Sequence, residues 1–167
     1  HPDMYVKNGR RTGDIGQTSR RCNFSCGFCS SATIGGRKWR AMSAEKAIDK
    51  IKKDVKILKL TGFWLRDDEF YIDQKRAAKI TEAMIPLNMK WYTSGTRANI
   101  FVKTPDEQIA LYKRAGAHTL KFGAESGNQF ILNLMNKGIT VEQTLEANRL
   151  CKKHGITPAF ALMCGFP

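Results

Sequence analysis

Three thiols within eight residues constrain this chain more than any other feature. The stretch Cys22-Asn23-Phe24-Ser25-Cys26-Gly27-Phe28-Cys29 spaces them as C-x3-C-x2-C, on a loop too short for a helix or a strand. A cubane iron–sulfur cluster has four irons, each already bound to three sulfides and taking one more ligand. Four cysteines would close such a cluster and make an electron carrier. Three leave one iron open to a small molecule. Structural zinc fits less well, because it prefers four thiolate or imidazole ligands and no histidine lies near. The five cysteines are an odd number, which argues against a disulfide framework. Cys151, on an amphipathic helix, and Cys164, in an apolar stretch, read as small core residues.

The rest of the chain alternates strand and helix, the pattern of parallel strands joined by crossover helices. A short first strand is expected over Asp14 to Thr18, leading into the cysteine loop. Ser43 reads as an N-cap, and Ile48, Ile51, Val55 and Leu58 follow at helical spacing until Gly62 breaks the helix. Phe63-Trp64-Leu65 begins a second strand that runs into Arg66-Asp67-Asp68. Asp73 caps a second helix ending by Pro86, and Lys90 to Arg97 forms a third strand. Thr104-Pro105-Asp106-Glu107 reads as cap, first-position proline and capping box, with the helix stopping at Gly116. Thr119 to Glu125 is a fourth strand, followed by a short helix over Phe130 to Met135. A capping box at Thr140 and Gln143 opens a helix that runs to His154-Gly155. Pro158 to Cys164 is an apolar fifth strand, expected to be buried on both faces.

Exact cysteine spacing with an aromatic residue, Phe28, before the last thiol resembles the radical S-adenosylmethionine (radical SAM) family. The resemblance implies an incomplete parallel (β/α) barrel of the (β/α)6 type, with about five strands present. It also implies a [4Fe–4S] cluster on Cys22, Cys26 and Cys29, whose open iron chelates the methionine part of SAM. In that family an electron from the reduced cluster splits the sulfonium to give a 5′-deoxyadenosyl radical. That radical takes hydrogen from a substrate carbon.

Parallel barrels gather their functional groups at the C-terminal ends of the strands. Read that way, Asp67 and Asp68, followed by Glu69, end strand two. Arg97 ends strand three, Glu125 and Ser126 end strand four, and Gly165 ends strand five. Each suits one part of SAM. Asp67 or Asp68 would accept from the ammonium, and Arg97 would meet the carboxylate. Glu125 with Ser126 would take the ribose hydroxyls, and Phe28, Met163 and Gly165 would frame the adenine. His118 and His154 each stand beside a helix end and read as favourable helix-end charge. Trp64, Trp91 and Tyr92 read as packing.

One branch is resembled more closely. Thr18-Ser19-Arg20, Asp67-Asp68-x-Phe70, Arg97-Ala98, Gly123-Ala124-Glu125-Ser126-Gly127, Leu134 to Thr140 and Gly165-Phe166-Pro167 together look like the cobalamin-binding radical SAM enzymes. Those enzymes methylate unactivated carbons or close rings oxidatively. The family's usual Gly-Gly-Glu is here Asp67-Asp68-Glu69. The branch carries a cobalamin domain ahead of the barrel and continues past Gly-Phe-Pro. Residues 1–167 therefore read as a radical SAM core truncated after its fifth strand, with any cobalamin held by a domain outside this chain. Implied partners are a small-molecule or peptide substrate and an electron donor such as flavodoxin or ferredoxin. Two other readings are a methylthiotransferase acting on tRNA or ribosomal protein, and a non-catalytic iron–sulfur electron-transfer protein.

The net charge of +13 invites a nucleic-acid partner. Basic composition without a motif is weak support, so nucleic acid is not expected. Lys46, Lys50, Lys52, Lys53, Lys56 and Lys59 crowd one helix as a solvated face. Arg20, Arg21, Arg37, Lys38 and Arg40 flank the cysteine loop and can offset a cluster's negative charge. No run of apolar residues is long enough to span a membrane, His1-Pro2-Asp3-Met4 has no signal pattern, and a low-potential cluster implies a reducing, cytoplasmic setting.

Overall fold

The computed structural model describes residues 5–7, 10–31, 34 and 36–166. His1 to Met4, Gly35 and Pro167 lie outside them. In chain order the elements are β1 (Tyr5–Lys7), β2 (Arg10–Asp14), β3 (Ser19–Arg20), β4 (Arg40–Ala41), α1 (Ala44–Leu58) and β5 (Gly62–Leu65). There follow α2 (Gln74–Met84), β6 (Lys90–Thr96), α3 (Ala98–Phe101), α4 (Asp106–Arg114) and β7 (Ala117–Glu125). The chain then forms α5 (Gln129–Leu134), α6 (Val141–Lys153) and β8 (Thr157–Leu162).

Strands β2, β5, β6, β7 and β8 pair in that order, all parallel, and β1 adds antiparallel to β2. The architecture is the expected α/β arrangement of five parallel strands. Side chains alternate faces along each strand. Phe63, Leu65, Trp91, Leu120 and Phe122 turn toward the helices and share a core with Ile51, Ile80, Ile109, Tyr112 and Cys151. On the other face, Trp64 and Tyr92 stack at 4.7 Å, and the Arg66 guanidinium lies 5.6 Å from the Trp64 ring.

Local chemistry sets most helix starts as anticipated. Ser43 accepts from the Lys46 amide, Asp73 from the Arg76 amide, and Thr140 with Gln143 forms a reciprocal capping box. Thr104 departs from its expected role. Pro105 occupies the cap position, and the Thr104 hydroxyl instead accepts from Gln74 Nε2 at 3.1 Å. Helix α1 also stops earlier than Gly62, at Lys59 in the left-handed region with φ 49°. Gly62 is already the first residue of β5.

Three further expectations are corrected. The first parallel strand is Arg10–Asp14 rather than Asp14 to Thr18. Gly16, at φ +70°, turns the chain out of the sheet, and its amide donates to Asp14 Oδ1 at 2.7 Å. Among the described residues strand β8 is not buried on both faces: it pairs only with β7, Phe160 and Leu162 are exposed, and Cys164 beyond it is exposed too. His118 lies within β7 rather than at a helix end, its ring 5.1 Å from that of Tyr92. Burial, with Lys90 and Lys113 nearby, lowers its pKa below 6.5. His154 does close α6, and its Nε2 pairs with Asp106 Oδ1 at 2.9 Å.

Candidate functional site

The cysteine loop is held at both ends by groups far away in sequence. At its start, the Asp67 carboxylate just past β5 accepts from the amides and hydroxyls of Thr18 and Ser19, the Thr18 hydroxyl at 3.0 Å. Arg76 completes the anchor, donating from Nη2 to the Thr18 carbonyl and hydroxyl at 2.9 Å each. Asp68 Oδ2 accepts from the Arg21 amide at 2.6 Å. Gly95 of β6 lies directly against the Asp67 and Asp68 carbonyls, where any Cβ would collide.

The far end of the loop meets the segment after α5. The Gly27 amide donates to the Met135 carbonyl at 2.7 Å, and Asn136 Nδ2 to the Ser25 carbonyl at 2.9 Å. Arg97, buried at the end of β6, joins the two sides. Its Nη1 is 3.2 Å from Cys26 Sγ, its Nη2 donates to the Lys137 carbonyl, and its guanidinium lies 3.7 Å from the Phe24 ring centre. Lys137 Nζ pairs with Glu125 Oε1 at 2.9 Å, with side chains only 7% and 13% exposed. The Glu125 backbone is left-handed at φ 62°, and Gly123 leaves the room this pair occupies.

These groups enclose a cavity of about 290 Å³. Cys22, Cys26, Cys29, Phe24 and Phe28 form one wall and Arg97, Gly123, Glu125 and Lys137 another, with Asp67, Asp68 and Ser94 to Thr96 among the remaining lining. The thiols line this space rather than converging on a point, and no three His, Cys, Asp or Glu among the described residues are grouped to hold one ion. A cluster with several metal corners fits such a wall, and Arg97 and Lys137 supply the positive charge it needs. Burial raises the Cys22 pKa, partly opposed by Arg97.

Of the residues singled out in the sequence, Phe28, Asp67, Asp68, Arg97 and Glu125 line the cavity with the three cysteines. Ser126, Met163 and Gly165 do not. The Ser126 hydroxyl accepts from the Asn128 amide, the Met163 amide donates to the Glu125 carbonyl at 2.8 Å, and Gly165 stands clear of other residues. Lys137 and Phe24 also line the cavity, the first within Leu134 to Thr140 and the second within the cysteine loop, though neither has a role assigned from sequence. Lys137 is the more informative miss, a lysine between two turn residues of Leu134 to Thr140. Cys151 sits in the core against the helices, its thiol pushed up to about 12 by burial.

Glu69, beneath Arg97, is fully buried. Its Oε1 accepts from the Tyr71 amide at 3.0 Å and its Oε2 has no partner. Burial raises its pKa to about 8, outweighing the attraction of Arg97 and Lys137. The native state therefore keeps a proton that an ordinary carboxyl releases near 4.5, so stability falls as pH rises from about 4.5 to about 8. Thermal unfolding between pH 5 and 9 should show this decline, and Glu69→Gln should flatten it. An equally steep decline in the variant would contradict the assignment.

A family model described as the Radical SAM superfamily matches residues 17–167. An uncharacterized methyltransferase of Pyrococcus horikoshii is 34% identical over 99% of this chain and 35% of its own length. The anaerobic magnesium-protoporphyrin IX monomethyl ester cyclase of Cereibacter sphaeroides is 33% identical over 92% of this chain and 25% of its own. The hopanoid C-3 methylase of Methylococcus capsulatus is 30% identical over 87% and 27%. The chain thus spans about a quarter to a third of these relatives. Among solved structures, the cobalamin-dependent S-adenosylmethionine radical enzyme OxsB with aqua-cobalamin bound matches with a TM-score of 0.72 and 27% identity, over 87% of this chain and 23% of its own. The radical S-adenosylmethionine methyltransferase TsrM of Kitasatospora setae gives 0.78 at 17% identity, over 93% and 31%, a likeness of fold alone.

Proposed function

The chain belongs to the radical SAM superfamily, and we propose that it is the core in which a [4Fe–4S] cluster and SAM meet, in a cobalamin-dependent methyltransferase or oxidative cyclase. The observation that carries this reading is one cavity shared by three thiols, two buried cations and three carboxylates at the ends of parallel strands. Cys22, Cys26 and Cys29 would hold three corners of the cluster. When bound, such a cluster would supply the electron for reductive cleavage of SAM, and with it a radical able to take hydrogen from a substrate carbon.

The side chains divide the binding work. Asp67 fastens the loop, because its carboxylate already serves Thr18 and Ser19. Asp68 is the better acceptor for the ammonium, with one oxygen engaged by the Arg21 amide. Arg97 and Lys137 are the cations for the carboxylate. Glu125 meets Lys137 through Oε1 and has Oε2 for a ribose hydroxyl, with Ser126 behind it. Phe28, which lines the cavity, would form one side of an adenine slot, while Met163 and Gly165 lie outside the cavity and would reach the adenine only beyond its rim. The methylase and cyclase names of the relatives, and the cobalamin bound in OxsB, support the choice of branch. Residues 1–167 would then form one radical SAM core domain, acting on a small-molecule or peptide substrate and supplied with electrons by an external carrier protein. Among the described residues no helix is long and apolar enough to cross a membrane.

Anaerobically reconstituted protein given SAM and dithionite should release 5′-deoxyadenosine. A full complement of cluster with no SAM turnover and no SAM binding would overturn the proposal.

A further inference from the structure

A second surface borders the site from outside. Strands β3 and β4 pair so that Arg20 stands directly opposite Arg40, both exposed. Like charges placed opposite each other on a ribbon destabilise it, and among the described residues neither arginine pairs with a carboxylate. Lys46, in the first turn of α1, and Met42 line the same groove of about 380 Å³. Arg20 also lines an adjoining groove of about 440 Å³ together with Cys29 and Ile34. The only acid in either groove is Asp68, whose carboxylate is engaged by the Arg21 amide. The surface therefore runs from the exposed cluster-loop thiol to a set of unneutralised cations around two exposed apolar side chains, Ile34 and Met42. Arg37 and Lys38, also exposed, lead directly into β4.

The geometry points to this surface as the docking face of a small acidic electron-carrier protein. The inference rests on the proposed cluster chemistry, since reductive splitting of a sulfonium consumes one electron that has to be returned to the cluster from outside it. A reduced carrier would give up one electron and a cluster held by Cys22, Cys26 and Cys29 would take it up, with no group transferred. Charge complementarity steers such encounters and an apolar centre holds them. Arg97 and Lys137 already face the thiols from inside the cavity, which leaves Arg20, Arg40 and Lys46 for a partner outside. RNA is the less fitting occupant: among the described residues no aromatic side chain lines either groove, and Trp39, next to β4, is half-buried beside Arg76.

Binding of flavodoxin and of a plant-type ferredoxin to the intact protein, followed by calorimetry at several salt concentrations, tests this. At least one carrier should bind, and more weakly as salt rises. The double variant Arg20→Glu/Arg40→Glu should lose about tenfold or more in affinity at low salt, and Lys46→Glu alone should shift in the same direction if the double variant does not fold. A control, Lys103→Glu/Lys152→Glu, changes net charge equally elsewhere and should bind as wild type. In reconstituted protein, dithionite should still reduce the double variant while the reduced carrier does so slowly. Failure of both carriers to bind, equal weakening in the control, or binding of an RNA oligonucleotide alone that depends on Arg20 and Arg40 would each overturn the docking face. A cluster that never assembles would instead sink the proposed function and leave the binding result readable.

Discussion

Cys26→Ala is expected to leave anaerobically reconstituted protein with almost none of the wild-type cluster absorbance and EPR signal, and with no detectable 5′-deoxyadenosine. Cys26 is the thiol most closely tied to its surroundings, 3.2 Å from Arg97 Nη1 and beneath the Lys137 carbonyl. Loss of groups that merely support a metal ligand costs about 10–100-fold, so loss of the ligand itself should exceed a hundredfold. Cys151→Ala and Cys164→Ala should both keep the cluster. Cys151 lies in the core against the helices, and Cys164 is an exposed residue past β8 that does not line the cavity. Cluster loss in either would favour a closed four-cysteine centre, which is the electron-transfer reading.

Asp67→Ala should be the most destabilising single change near the site, by about 3–5 kcal/mol, because it strips a buried charged acceptor from several donors at once. In a domain of this size that amounts to a fall in melting temperature of about 10 °C or more. Thr18 and Ser19 would lose their shared acceptor, and the Arg76 guanidinium that donates to Thr18 would lose a carboxylate that favours its charge. The start of the cysteine loop would then come free, and cluster yield should fall with stability. Calorimetry without SAM separates this from a ligand role. A residue whose only task was to hold SAM would leave the SAM-free melting temperature unchanged, and that outcome would contradict the structural role.

What could be read from the chain alone was what depends on near neighbours. The C-x3-C-x2-C loop, the caps at Ser43, Asp73 and Thr140, and the βα alternation all act over a few residues, and each stands where expected. Strand β2 was misplaced because Arg10-Arg11-Thr12-Gly13-Asp14 has no apolar run to announce it. The twofold burial expected of β8 failed for a different reason: an apolar strand at the margin of a sheet has the same sequence pattern as one in the middle. The site itself was half legible. Position at a strand end pointed to Asp67, Asp68, Arg97 and Glu125, but not to what each side chain meets. Asp67 reaches back 48 residues to Ser19, and Arg97 reaches back 71 to Cys26. Lys137 finds Glu125 only because β7 ends in a left-handed residue and Gly123 has no side chain. Pairings of that range are fixed by topology, which no local pattern encodes.

The most direct test of the unliganded iron corner is EPR of the reconstituted, dithionite-reduced protein, recorded before and after SAM is added. The account predicts a [4Fe–4S] signal whose g-values move when SAM binds, with hyperfine coupling to a labelled amino nitrogen of its methionine part. A strong signal that stays unmoved at saturating SAM would mean that the fourth corner belongs to the protein, and would contradict the account.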